Sequence, residues 1–233
     1  MKAVILAGGL GTRLRPITYE TPKPLITVKK KPILNHLIEL FGRHGVDSIS
    51  ILINKQHEVD FSRWQKAWAE ELSRADVTII PEEEPRGTFG GLQLLKEWLN
   101  DEPFFLSNGD ELKDFDLQAL RDFHKKEKSL GTIALVEVAN PSEYGVPILH
   151  GNKIKQFLEK PQNPPSNFIS SGLYFLEPKV FSYADNSKEY LMIEKDIFPK
   201  IAEAGLLSGM KMEKSRWYDC GTLERWEKAI KEW

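Results

Sequence analysis

The sequence is 233 residues long, 41% hydrophobic and 28% charged, with a formal net charge of −2. That length suits one large α/β domain or two small ones, and the dispersed basic residues give no nucleic-acid footprint. The single cysteine, Cys220, excludes an intramolecular disulfide and a cysteine-rich zinc site, and no apolar run approaches membrane-spanning length. The N-terminus carries no secretory pattern, so a cytoplasmic location is the default expectation.

The chain goes directly into a short apolar strand, Ala3-Val4-Ile5-Leu6, of the kind an open α/β sheet buries on both faces. Leu6-Ala7-Gly8-Gly9-Leu10-Gly11-Thr12-Arg13-Leu14 follows. Its glycines let backbone approach a ligand closely, and its exposed N–H groups form an anion nest to which a following helical turn adds its positive end. Arg13 and Arg15 supply cationic forks and Thr12 a hydroxyl. Further on, Thr21-Pro22-Lys23-Pro24-Leu25 places a lysine between two prolines, which predicts stiff, extended backbone there. Together these features look built to clamp a polyphosphate. A Walker loop fits poorly, because Thr12-Arg13 stands where Lys-Ser/Thr is needed. The dinucleotide fingerprint fits poorly too, because Leu14 occupies the place of its third glycine. An ordinary strand-to-helix turn with surface arginines is the plain alternative, and the Pro-Lys-Pro segment weighs against it.

Pro32 to His44 reads as an amphipathic helix with Gly45 as its C-cap, and Ser48 to Ile53 as a strand. Phe61, Trp64, Trp68 and Leu72 are spaced for a second helix, with the tryptophans assigned to the core, and Val77 to Ile80 makes a further strand. Alternation of strand and helix predicts a parallel sheet with crossover helices. Pro81 to Gly91 then forms an acidic, glycine-bearing loop at a strand's carboxyl end, where α/β sheets bind ligands. Gly87-Thr88 opens a helix carrying Leu92, Leu95, Trp98 and Leu99. Pro103 to Ser107 is a nearly pure apolar strand, expected to be central, that ends at Asn108-Gly109-Asp110. There a carboxylate is well placed as a hard oxygen ligand for a divalent cation, although an Asn-Gly turn with a capping aspartate reads equally well in isolation. Asp114 and Asp116 are expected to cap the helix around Leu117, Leu120 and Phe123. Gly131 to Val138 reads as a strand and Thr222 to Ala229 as a closing helix.

The run LAGGLGTRLRPITYETPKPLITVKKKPIL resembles the N-terminal signature of the sugar-1-phosphate nucleotidyltransferases, the NDP-sugar pyrophosphorylases. Later segments resemble the same family in family order, from residue 1 to about residue 225. They are Glu83-Glu84-Pro85-Arg86-Gly87-Thr88, Asn108-Gly109-Asp110, Pro141 to Val146, Phe157-Leu158-Glu159-Lys160-Pro161, Ser171-Gly172-Leu173-Tyr174, and Trp217-Tyr218-Asp219-Cys220-Gly221-Thr222. The resemblance implies an α/β, Rossmann-like fold with an open, mixed, mostly parallel sheet flanked by helices, with strands over 154–159 and 169–176 and a helix over 190–200. It implies one nucleotidyltransferase domain over 1–233, with 1–130 handling nucleotide and 131–233 handling sugar phosphate, and no C-terminal β-helix. It assigns nucleotide contacts to Leu6, Ala7, Gly8, Gly9, Gly11, Thr12, Arg13, Lys23, Glu82, Pro85, Gly87, Thr88 and Asp110, with Arg13 and Lys23 catalytic. Sugar-phosphate contacts fall to Gly145, Glu159, Lys160, Ser171, Gly172 and Glu194. Mg²⁺ is implied as cofactor, held by Asp110 and Asp219, which sequence alone cannot bring together. Phe89, Ser171 and Met192 depart from the family's commoner residues.

The implied substrates are an NTP and a sugar-1-phosphate, with no nucleic acid and no membrane, in a monomer or small homo-oligomer. The Glu82-Glu83-Glu84 loop and the Glu194 segment lean toward the mannose-1-phosphate guanylyltransferase branch and GTP. A thymidylyl- or uridylyltransferase using dTTP or UTP on a glucose, heptose or N-acetylmuramate phosphate is the alternative. Two rivals stand outside that choice, a catalytically inactive nucleotide-sugar-binding regulatory module and a phosphocholine or polyol-phosphate cytidylyltransferase. Retention of Arg13, Lys23, Asp110, Lys160 and Asp219 argues against the first, and the Tyr-Gly-Val and Glu-Lys-Pro elements argue against the second.

Overall fold

A computed structural model describes residues 1–233. The chain forms two compact units, each assembled from separated segments. The first comprises Met1–Pro85, Ser107–Phe115 and Ser215–Trp233, and the second Arg86–Leu106 and Asp116–Lys214.

In the first unit, strands Lys2–Ala7, Ser48–Asn54 and Asp76–Glu82 run parallel, with Leu6 opposite Leu52 and Leu52 opposite Ile80. Parallel strands need a long crossover between them. The first crossover contains helix Ile33–Arg43, whose Ile33, Leu34, Leu37, Ile38, Leu40 and Phe41 are buried. The second is broken rather than continuous: helices Glu58–Ala67 and Ala69–Leu72 meet at Trp68, whose φ of −112° and ψ of 19° interrupt the ladder. Phe61 and Trp64 enter the core as the spacing predicts, and Trp64 Nε1 donates to Asn35 Oδ1 at 2.7 Å. The unit also holds a two-stranded antiparallel ribbon, Glu111–Asp114 with Arg216–Asp219, and the closing helix Leu223–Glu232.

In the second unit, strand Gly131–Glu137 is buried over nearly its whole length. Phe168–Leu176 runs antiparallel on one side of it and Leu207–Lys211 parallel on the other. Lys153–Glu159 pairs antiparallel with Leu207–Lys211 and, through a tight connection, with Gly145–His150. Helix Leu117–Glu127 starts at Asp116, whose side chain accepts from Ala119 N at 2.9 Å, so Asp116 is the expected cap. Asp114 instead faces Arg43 and Arg216.

The α/β architecture is the one expected, a mixed sheet flanked by helices. Two predicted helices are less regular than their apolar spacing suggests. The segment opened by Gly87-Thr88 passes through a turn at Gly87–Gly90, a 3₁₀ stretch at Gly91–Leu95 and a final turn at Lys96–Leu99. Its glycines give the backbone little reason to stay α-helical. The segment 190–200 is not helical over residues 190–192, enters a π-turn at Ile193–Ile197 and becomes α-helical only over Phe198–Glu203, where Pro199 offers no N–H to an α ladder. No helix is long and apolar enough to cross a membrane.

Candidate active site

The N-terminal loop leaves the strand Lys2–Ala7 at its carboxyl end. A side chain at Gly8 would stand 3.3 Å from Glu82 Oε2 and 3.5 Å from the Asn54 amide, so the first turn lies against the ends of both neighbouring strands. Gly11 takes φ 59°, the left-handed region, and a Cβ there would come within 2.9 Å of Thr18 Cγ2 and 3.2 Å of Lys23 Cβ. The Gly11 carbonyl accepts from Thr18 Oγ1 at 2.8 Å and from Leu14 N at 2.9 Å. A single 3₁₀ turn, Thr12–Leu14, follows, anchored by fully buried Leu14 while Thr12 and Arg13 remain exposed. Lys23 departs from expectation: its backbone is not extended but opens the 3₁₀ turn Lys23–Leu25. Leu25 N to Pro22 O at 2.8 Å and Ile26 N to Lys23 O at 3.2 Å close that turn and overcome the usual bias of a residue before proline. The turn buries the Lys23 stem and aims its ammonium inward.

Asp110 and Asp219, 109 positions apart, do meet, and the ribbon explains how. Its register sets Asp219 opposite Glu111, the residue after Asp110. The Gly109 amide donates to Leu6 O at 2.9 Å, which ties the Asn108-Gly109-Asp110 loop to the strand that carries the glycine loop. Lys23 Nζ is ion-paired and hydrogen-bonded to Asp110 Oδ2 and lies 3.7 Å from Asp219 Oδ1. Asp219 Oδ2 accepts from Arg225 Nη1 at 2.8 Å. A Cβ on Gly221 would meet Asp219 Oδ1 at 2.8 Å and Arg13 Nη2 at 3.0 Å, so the Arg13 guanidinium reaches the same corner. Arg225 is absent from the sequence-based set. The signal for it lay in Thr222, whose side chain accepts from Arg225 N at 3.3 Å as N-cap and so fixes Arg225 in the first turn of the closing helix.

Charge sets the protonation of this cluster. Burial works to raise the Asp110 carboxyl, but the charge and hydrogen bond of Lys23, with Lys113 behind it, hold it below the usual carboxylate range. Burial likewise works to lower Lys23, and Asp110 and Asp219 raise it instead. Glu111 is pushed up by burial, opposed by Lys113 and reinforced by Asp110 and Asp219. Two carboxylates converging on one ammonium form a hard-oxygen donor pair that already accommodates a cation. That chemistry fits Mg²⁺, which typically takes one or two protein carboxylates and fills its sphere with water and phosphate oxygens. No group of three or more His, Cys, Asp or Glu side chains is arranged as a metal site, so the protein's share would be these two.

The second unit carries a separate polar cluster. Gly87 has φ 76°, and a Cβ there would collide with the Leu191 carbonyl. That carbonyl accepts from Phe89 N at 2.9 Å and Gly90 N at 3.1 Å, while Leu191 N donates to Arg86 O at 3.0 Å. The stitching sets Thr88 against the π-turn: its hydroxyl donates to Glu194 Oε2 at 2.6 Å and accepts from Ile193 N at 2.9 Å. Burial raises the Glu194 carboxyl, the Thr88 hydrogen bond opposes this, and the nearby Glu159 charge adds to it. Glu159 lies opposite Gly145 in the sheet and is 3.6 Å from Lys160 Nζ. Lys160 itself has φ 50°, held by its amide donating to Tyr144 O at 3.1 Å.

Gly172 sits in the irregular stretch between Ser170 and Tyr174 with φ 63°. Ser171 is fully buried in the sheet, and its hydroxyl donates to Ala134 O at 2.8 Å. Phe89 is core, fully buried with its ring centroid 5.3 Å from that of Phe181. Met192 contributes its amide, which donates to Asp196 Oδ2 at 2.7 Å. Thus Leu6 to Lys23, Glu82, Pro85, Asp110 and Asp219 belong to the first unit, whereas Gly87, Thr88, Gly145, Glu159, Lys160, Ser171, Gly172 and Glu194 belong to the second.

The nucleotidyl transferase family model matches residues 2–233. Mannose-1-phosphate guanyltransferase of Candida albicans is 40% identical over 227 residues, covering 95% of this chain and 61% of that protein. The catalytic subunit beta of mannose-1-phosphate guanylyltransferase from Danio rerio is 39% identical over 225 residues, with the same shares covered. The chain therefore spans about three fifths of the length of the curated relatives it matches. Among solved structures, a Bacillus anthracis protein described as a glucose-1-phosphate thymidylyltransferase, in complex with a sucrose, superposes with a TM-score of 0.89 at 27% identity. It covers 99% of this chain and 94% of its own. HddC from Yersinia pseudotuberculosis gives a TM-score of 0.82 at 28% identity over 99% of this chain and 98% of its own.

Proposed function

The chain belongs to the nucleotidyl transferase family, and on that footing we propose that it transfers a nucleotidyl group from an NTP to a sugar-1-phosphate, releasing pyrophosphate. The observation that carries the proposal is the convergence of Asp110, Asp219 and Lys23, with Arg13 at the same corner. GTP and mannose-1-phosphate are the first pair to consider, because the relatives from Candida albicans and Danio rerio carry those substrates in their names. The name of the Bacillus anthracis protein keeps dTTP with glucose-1-phosphate as the second pair, and UTP remains in the set.

In this reaction a sugar-phosphate oxygen forms a bond to the α-phosphorus as the bond to the β-phosphate oxygen breaks. The nucleophile is already anionic at neutral pH, so no side chain has to remove a proton from it. The barrier is one of alignment and like-charge repulsion, which fixed cations and dipoles relieve. Arg13 and the amides of Gly8 to Thr12 would grip the β- and γ-phosphates. Lys23 would set its ammonium against the α-phosphate, exchanging part of its present contact with the carboxylates. Asp110 and Asp219 would hold Mg²⁺, which when bound supplies charge neutralisation among the phosphates. Glu159 would accept hydrogen bonds from sugar hydroxyls and exposed Lys160 would pair with the sugar phosphate. Glu194, whose carboxyl burial pushes upward and whose Oε2 already accepts from the Thr88 hydroxyl, would offer a hydrogen-bonding group to sugar hydroxyls.

The test is pyrophosphate release from a matrix of NTPs, dTTP included, against a panel of sugar-1-phosphates in the presence of Mg²⁺. The expected result is one dominant cell, GTP with mannose-1-phosphate. A different dominant cell would replace the substrate pair and keep the reaction. A blank matrix would overturn the proposal.

A further inference from the structure

Beneath the Asp110–Asp219 pair lies a buried ion pair that the reaction above does not use. Lys113 has no exposed side-chain surface, and Glu111 retains 11%. The Lys113 ammonium is 3.1 Å from Glu111 Oε2 and donates to Ser107 Oγ at 3.2 Å and to the Asn108 carbonyl at 3.3 Å. Those partners match the three protons an ammonium can donate. Glu111 is held equally well: Oε2 also accepts from Trp217 Nε1 at 2.9 Å, and Oε1 accepts from Asn108 Nδ2 at 3.1 Å.

The network joins the residues just before Asp110 (Ser107, Asn108), those just after it (Glu111, Lys113) and the partner strand that ends in Asp219. A two-stranded ribbon is marginal by itself, and a slip of one residue turns every side chain to the other face. Such a slip here would carry Asp219 away from Asp110. The opposite face of the ribbon is apolar, with Leu112 and Cys220 packed in a cluster with Leu14, Ile26, Val28 and Ile33. That face is greasy and tolerant of sliding, whereas the hydrogen bond from Trp217 to Glu111 crosses the ribbon and is met in one register only, and Lys113, tied to Ser107 and Asn108 on its own segment, holds Glu111 in place to receive it. Buried ion pairs are weak devices for stability, and an apolar pair of similar volume often serves as well or better. Their best-attested use is to fix register.

We propose that Glu111 and Lys113, through Trp217 and Asn108, are positioning residues that hold the Asp110 and Asp219 carboxylates in the spacing needed for a divalent cation. This inference rests on the nucleotidyl transfer proposed above. It assigns to the pair a role in cation affinity that a purely structural pair would not have.

Three proteins decide it: the unaltered chain, the double variant Glu111→Leu/Lys113→Met, which removes both charges and the ties, and Glu111→Gln/Lys113→Met, which removes the charges but keeps an acceptor for Trp217. Mn²⁺ binding in the presence of GTP is read from the free-ion electron paramagnetic resonance signal, alongside the melting temperature and the Mg²⁺ concentration for half-maximal turnover. The expected result is a melting temperature for the Leu/Met protein at or above that of the unaltered chain. Its Mn²⁺ affinity should nonetheless fall about tenfold, with a matching rise in Mg²⁺ requirement, and the Gln/Met protein should recover most of that loss. A stable Leu/Met protein with unchanged Mn²⁺ affinity would overturn the proposal. Should the Leu/Met protein fail to fold, Trp217→Phe removes a single donor and leaves both charges. A drop of a few fold in Mn²⁺ affinity there supports the proposal, and an unchanged affinity overturns it. An unaltered chain that neither turns over nor binds Mn²⁺ with any nucleotide would overturn the functional reading itself, and this inference with it.

Discussion

At the Asp110–Asp219 corner of the unit built from residues 1–85, 107–115 and 215–233, three carboxylates each have a cation against them. Asp110 has Lys23, Asp219 has Lys23 and Arg225, and Glu111 has Lys113. In the other unit, half-buried Glu194 is held by the Thr88 hydroxyl and feels the Glu159 charge. The first arrangement keeps Asp110 ionised and able to accept a harder cation, while the second moves a carboxyl toward its neutral form, in which it can donate as well as accept. One chain thus holds two kinds of acidic cluster, one compensated by cations and one by a hydroxyl. The difference comes from neighbours rather than from residue type.

The comparison breaks first at Lys23. Lys23→Met leaves Asp110 and Asp219 facing each other without their shared cation, and the expected loss is about 3 kcal/mol of stability at pH 7. Because the Asp110 folded-state pKa is depressed, its stabilising contribution is present above the ordinary carboxylate pKa and fades as pH falls through the folded value. The gap between Lys23→Met and the unaltered chain should therefore shrink below the ordinary carboxylate value, as read by denaturant unfolding at pH 7 and pH 3.

Gly87→Ala tests the second unit's scaffold. A methyl group at a left-handed φ, aimed at the Leu191 carbonyl, should cost roughly 1–3 kcal/mol. Thermal melting would show it, and an unaffected melting temperature would mean that the turn is not held as described.

Glu194→Gln inverts the sign. A carboxyl whose folded pKa is raised penalises the fold once pH exceeds its unfolded value, so removing the charge should stabilise the chain at pH 7, with the gain vanishing near pH 4. A loss of stability at pH 7 would show that Glu194 is well compensated, and the contrast between the units would fall.

The smallest effect concerns Cys220, fully buried beside Asp219, whose thiol burial pushes up to about 12. Iodoacetamide at pH 8 should leave it unmodified in the folded chain and label it readily in denaturant.

Much of this was legible in the sequence. Apolar patterning located the helix over residues 33–43 and the strands at Lys2–Ala7, Ser48–Asn54, Asp76–Glu82, Phe104–Asn108 and Gly131–Glu137, whereas Gly145–His150, Leu207–Lys211 and both strands of the ribbon, which are short and mixed in polarity, escaped it. The glycine-rich loop and the Pro-Lys-Pro segment located Arg13 and Lys23. Three things were hidden, each for a physical reason. The turn at Lys23 depends on hydrogen bonds that outweigh proline's local bias. The meeting of Asp110 with Asp219 depends on ribbon register, a long-range pairing with no local signature. Glu111 and Lys113 alternate like any solvent-facing charged pair on a strand, and only the surrounding packing reveals that they are buried. Each unit is also assembled from discontinuous segments, which no local pattern announces.

The most direct measurement is a double-mutant cycle on the two carboxylates, with Asp110→Asn, Asp219→Asn and the combination assayed for pyrophosphate release at saturating Mg²⁺. If Asp110 and Asp219 act as one cation site, each single change should cost about a hundredfold or more, roughly 3 kcal/mol, and the double should cost little beyond either single. Additive losses, or turnover and Mg²⁺ dependence unchanged in either single variant, would contradict a shared site.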